Sequence, residues 1–232
     1  MAFDVYVGGF SRFYAREWEN VAQKHARETG MRYQMIHAGE DPGPANWDEV
    51  QAAVEQWKAA LKQGLRENAP ADLDWDEGRD AAYFTDRPGW DGYAALVLLA
   101  ACTASKSPCP DKLPEDALTS NIVVRSHAAA FQGGYRSITQ VQLWLPGSYE
   151  FSFDFFDLCN QKVHIGSVKR LSRDLQALKE AHGLSNEQVA NSLREGYADG
   201  AGFMPISIFG LAIFERLANE ALEHRLPVLL SF

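Results

Sequence analysis

A chain of 232 residues with 46% hydrophobic and 23% charged residues can bury a core of its own, so it needs no disulfide or metal to fold and does not have the composition of a disordered chain. A formal net charge of −9 and a pI near 5.2 repel phosphate backbones and anionic lipid. General nucleic-acid binding and docking on an acidic membrane are thereby excluded, and a basic partner is steered inward.

The opening residues, MAFDVYVGGFSRF, lack a basic stretch followed by an apolar run and a small-residue cleavage site, so they do not read as a secretory signal. The longest apolar run, Tyr93 to Thr103, is shorter than the roughly 18 residues of a membrane span. Cys102, Cys109 and Cys159 are odd in number and not tightly spaced, as expected of free thiols in a reducing cytoplasm.

Phe3 to Val7 alternates as a strand with Phe3, Val5 and Val7 on one side, closed by Gly8-Gly9. A helix capped by Ser11 is predicted to run to about Thr29, with Tyr14, Trp18, Val21 and His25 along its inner stripe and Gly30 as its stop. Residues 32–37 read as a second strand. Asn46 and Glu49 form a capping-box pattern for a helix reaching about residue 67, carrying Val50, Val54, Trp57, Leu61 and Leu65 inward.

Residues 71–92 read mostly as loop, with Asp91 as the cap of a buried helix from about Gly92 to Ser105. A proline-rich connector at 106–114 is the one weak subdomain boundary in what otherwise reads as a single domain, 1–232. A helix is expected over about 120–131. Strands are expected at 137–145, 149–155 and 162–166, forming an antiparallel meander, with Tyr149, Phe151, Phe153 and Phe155 on one face and Glu150, Ser152 and Asp154 on the other.

Helices from Ser167, from Ser185 with its Gln188 capping box, and over about 206–225 follow. Residues 228–232 can add an edge strand after Pro227. The fold class is therefore α+β: a mixed, mostly antiparallel sheet (the meander over about 137–166, with strands near 3–7, 32–37 and 228–232) carrying about six to seven helices.

Motifs of known chemistry are largely missing. Asp72, Asp74, Asp76 and Asp80 imitate the start of a calcium loop, but Glu77 and Tyr83 occupy the positions of its turn glycine and final acid. His25, His37, His127, His164, His182 and His224 show no helical metal-binding pair. There is no Gly-x-Ser-x-Gly elbow and no dinucleotide or phosphate fingerprint, so neither metal nor cofactor is assigned. The Gly8-Gly9-Phe10-Ser11 turn could hold an anion at a helix start, although a serine-capped turn accounts for it as well.

The most unusual stretch spans Tyr83 to Tyr93, the end of a longer patch that begins at Trp75. The patch's Trp75, Asp76, Tyr83, Asp86, Arg87, Trp90, Asp91 and Tyr93 have the composition of a stiff, outward-facing recognition loop. The expectation is a non-enzymatic cytoplasmic binding protein with a protein partner. Its most concrete form is a bacterial immunity or inhibitor protein that occludes a basic toxin. The alternative is a small-molecule enzyme with Asp76, Asp86, Asp91 and His127 gathered into an acid–base site. A third reading makes the aromatic sheet face an assembly surface. The oligomeric state stays open.

Overall fold

The computed structural model describes residues 3–32, 45–68, 70–127 and 134–231. Among these the order is β1 (Asp4–Val7), α1 (Phe10–Ala15), α2 (Val21–Thr29), α3 (Trp47–Leu65), β2 (Phe84–Asp86), α4 (Gly89–Ser105), α5 (Asn121–Ser126), α6 (Arg136–Thr139) and β3 (Leu143–Leu145). Then come β4 (Phe153–Phe156), β5 (Lys162–Ser167), α7 (Val168–Ala181), α8 (Asn186–Glu195), α9 (Phe203–His224) and β6 (Val228–Ser231). The protein is α+β, with a six-stranded sheet in the order β2-β1-β6-β3-β5-β4. Only β3 and β5 pair in parallel; the other neighbours are antiparallel. No helix among the described residues is long and apolar enough to cross a membrane.

Both faces of the sheet are covered. Phe3, Val5, Val7, Trp144 and Val228 pack with Leu96 and Leu99 of α4, Leu171 and Leu175 of α7, and Phe214 and Leu217 of α9. On the opposite face Tyr6, Leu143, Leu145, Ile165 and Leu229 meet Phe10, Val54, Trp57 and Leu61 of α1 and α3, together with Leu73 and Trp75. Each large apolar side chain taken fully out of water adds about 1.5–3 kcal/mol of gross stabilisation.

Several expected elements take a different form. The helix over 11–29 is split: Arg16 turns left-handed at φ 60° to end α1, and Asn20 with Gln23 closes a capping box that starts α2. On the restarted helix the buried residue is Ala26, and His25 is exposed. Ser11 is not a cap. It lies inside α1, whose N-terminal Phe10 and Ser11 amides donate to the Glu77 carboxylate at 3.0 and 2.7 Å. A Cβ on Gly9 would run into that carboxylate, so the glycine is what admits it.

The 71–92 loop contains β2 and the first turn of α4, which Pro88 rather than Asp91 precedes. The expected strand 137–145 divides into α6 and β3, because the Ser137 amide is taken by Asp174 of α7 at 3.0 Å. The meander reduces to the β4–β5 hairpin. Residues 228–231 form an interior strand between β1 and β3, and β2 and β4 are the edges. Its unbroken Val228-Leu229-Leu230 run suits a strand covered on both faces of the sheet. Residues 33–37 of the second expected strand, and 128–131 of the 120–131 helix, lie outside the described residues.

Candidate functional site

The Trp75–Tyr93 stretch turns largely inward. Trp75 is 6% exposed and edge-on to Phe10 and Trp57, and its indole donates to Glu77. Tyr83 is half-buried beneath the Arg12 guanidinium, 4.8 Å from its ring centre. Tyr93 stacks on Phe3 at 4.6 Å and faces Phe214, and burial pushes its phenol up to about 12. Arg87 makes a two-pronged pair with the buried Asp4 at 2.8 and 3.0 Å. Asp86 accepts from Arg216 at 2.7 Å. Asp76 is exposed and accepts from the Gly78 amide within its own turn.

Of the eight residues, Trp90 and Asp91 border an open cleft of about 640 Å³, while Trp90 and Tyr93 also edge a second of about 490 Å³ and Tyr83 a third of about 250 Å³. The four acid–base candidates do not converge. Asp76 and Asp86 are engaged as above, Asp91 is in the cleft, and the His127 ring lies 2.6 Å from the Thr139 carbonyl oxygen. The calcium-like acids also diverge: Asp72 accepts from the Ser148 amide, and Asp74 pairs with Lys58 at 2.9 Å. Among the described residues, ligand atoms of Glu220, Glu223 and His224 come within 4.8 Å of one another. They are partly or fully exposed at the end of α9, where acidic groups commonly stand without an ion.

Three segments build the cleft. The first turn of α4 supplies Trp90 and Asp91. The 112–119 segment supplies Lys112, Glu115 and Asp116, shaped by a turn in which the Ala117 amide donates to the Pro114 carbonyl. The loop between α8 and α9 supplies Tyr197 and Asp199. The Phe203 amide donates to the Asp111 carbonyl at 2.9 Å and ties two of these walls together. Leu113, Ala117 and Ile206 give the cleft an apolar component.

Four carboxylates face one ammonium in this cleft, leaving three net negative charges. None of Asp91, Glu115, Asp116 and Asp199 has an ion-pair partner among the described residues. Asp91 lies in the first turn of α4, where the helix dipole favours it by about 0.3–1 kcal/mol. The Asp116 carboxylate makes no cap bond to the short 3-10 turn it precedes, while its carbonyl accepts from the Thr119 amide and hydroxyl at 3.0 and 3.2 Å. Burial raises the Tyr197 phenol above its ordinary value, and the nearby Asp91 and Asp199 carboxylates push it the same way. The Tyr197 ring is braced edge-on by Phe209 at 5.3 Å, and Trp90 is 38% exposed.

Unpaired carboxylates beside two aromatic rings suit a cation, above all a guanidinium or ammonium group that can lie over a ring. Among the described residues, the lining of the cleft holds no histidine, cysteine or serine. Glu115, Asp116, Tyr197 and Asp199 carry no signal in the sequence, because no period links the 112–119 connector to a loop some eighty residues later. No family model, curated relative or solved structure matches the chain, so the functional reading rests on this geometry.

Proposed function

We propose that the chain is a binding protein that captures a basic protein partner, with the acidic aromatic cleft receiving an arginine or lysine side chain of that partner. Its most concrete form is an immunity- or inhibitor-type protein of the cytoplasm that occludes a cationic surface on a toxin. The observation that supports this most is the set of four carboxylates around Trp90 and Tyr197 that have no ion-pair partner among the described residues. A net charge of −9 adds long-range attraction for such a partner.

A cation over an aromatic ring contributes about 0.5–2 kcal/mol, and a partly desolvated charge pair adds to that. The test is affinity capture from the source cell with the wild-type chain and an Asp91→Lys/Asp199→Lys variant. A partner protein retained by the wild type and lost by the charge-reversed chain is the expected result. Its association rate should fall about tenfold or more as salt rises from low to high ionic strength. Equal retention by both chains would refute the reading.

A further inference from the structure

Outside the cleft, the β4–β5 hairpin aligns a serine, a histidine and an aspartate. Ser152 just precedes β4, and Asp154 lies directly opposite His164 in the ladder. His164 Nδ1 is 2.8 Å from Asp154 Oδ1, and its Nε2 is 2.9 Å from Ser152 Oγ. The register that makes this alignment is fixed by the turn. Asp157 Oδ1 accepts the Cys159 and Gln161 amides at 2.9 and 2.7 Å, and Asn160 turns left-handed at φ 59°.

The chemistry follows from these bonds. A carboxylate only accepts, so Nδ1 carries a proton, and in the neutral ring Nε2 then presents its lone pair to the serine hydroxyl. Lys162 Nζ, 2.7 Å from the other Asp154 oxygen, and His164 itself hold the Asp154 carboxyl below the ordinary aspartate range, so it stays an acceptor. The Gln142 side chain accepts the His164 amide at 3.2 Å, and the Gln142 amide donates to the His164 carbonyl at 2.9 Å, which fixes the histidine backbone.

We propose that Ser152 is a general-base-activated nucleophile that takes the acyl group of a small carboxylic ester, with His164 as base and Asp154 as its positioning residue. Ser152 Oγ bonds to the ester carbon while its proton passes to His164 Nε2. The carbon–oxygen bond to the leaving group then breaks, and the alkoxide takes the proton from Nε2. Water, deprotonated by the same nitrogen, releases the carboxylic acid and restores the serine. Ser152 and Asp154 are exposed and His164 is partly so, which suits a compact acyl donor that needs no enclosed pocket. The inference is independent of the cleft.

The probe is an alkyl fluorophosphonate, on which Ser152 Oγ would form a phosphorus–oxygen bond and expel fluoride. Peptide mapping should place the adduct on Ser152. The Ser152→Ala variant should take none there, and His164→Ala should react about a hundredfold more slowly with unchanged circular dichroism. Asp154→Ala should slow labelling about tenfold or more and move the His164 ring proton to Nε2 in nitrogen-15 NMR, a change that loss of a merely structural contact would not couple to reactivity. Glu187→Gln, exposed on α8, should label like the wild type. Absence of an adduct on Ser152, or equal rates for the wild type and His164→Ala, would overturn the proposal.

Discussion

At the scale of single residues, buried charges set the strongest constraints. Asp4 is 4% exposed at the start of β1, and the Arg87 guanidinium is a partner. Removing the carboxylate takes away the two-pronged bond to Arg87, so Asp4→Ala should cost about 1–3 kcal/mol in denaturant unfolding. Glu77, 5% exposed, accepts from two amides of α1 and from the Trp75 indole; Glu77→Ala should therefore cost at least about 2 kcal/mol in the same measurement. Asp174 behaves differently. Burial raises its carboxyl above the ordinary aspartate value, with Arg170 opposing the shift. Above about pH 4, the ordinary aspartate value, the unfolded chain releases this proton while the native state still holds it. Stability therefore declines as pH rises through that window. Asp174→Asn cannot titrate, so its stability relative to the wild type should improve as pH is raised. Parallel pH–stability curves for the two chains would contradict this.

At the scale of elements, what the sequence displays is local. The alternation of Phe3, Val5 and Val7, the Ser185–Gln188 capping box and the Leu171-Leu175-Leu178 stripe each follow from neighbours a few residues apart, and each matches the structure. Most failures are long-range; the break at Arg16 and the Asn20–Gln23 capping box that splits the expected first helix is local. Leu230 gives no sign in the sequence that β6 inserts between β1 and β3, since edge and interior strands differ in neighbours rather than in local pattern. The cleft was legible only at Trp90 and Asp91. The serine–histidine–aspartate set was half visible, in the polar face of Ser152 and Asp154, but its histidine needed the hairpin register. The α4–α9 crossing is another long-range feature. A Cβ on Gly210 would fall on the Gly92 carbonyl oxygen, so the helices meet backbone to backbone. Gly210→Ala should push them apart and cost about 1–3 kcal/mol in thermal or denaturant unfolding; an unchanged midpoint would show that the crossing yields freely.

At the scale of the whole molecule, the sheet and its two helical layers hold together segments that are far apart in sequence. The α4 and α9 starts are set by the crossing, and the 112–119 segment is tied to α9 through Phe203 and Asp111. This arrangement concentrates negative charge beside Trp90 and Tyr197, and the acidity of the whole chain reinforces it. The most direct measurement is a titration of the chain with an arginine-rich peptide, followed through the Trp90 indole NMR signal. The Trp90 signal should shift saturably, with binding about tenfold weaker or more in an Asp91→Asn/Asp199→Asn variant and weakened further by added salt. A Trp90 signal that stays still, or equal affinity in the variant, would contradict the role assigned to the cleft.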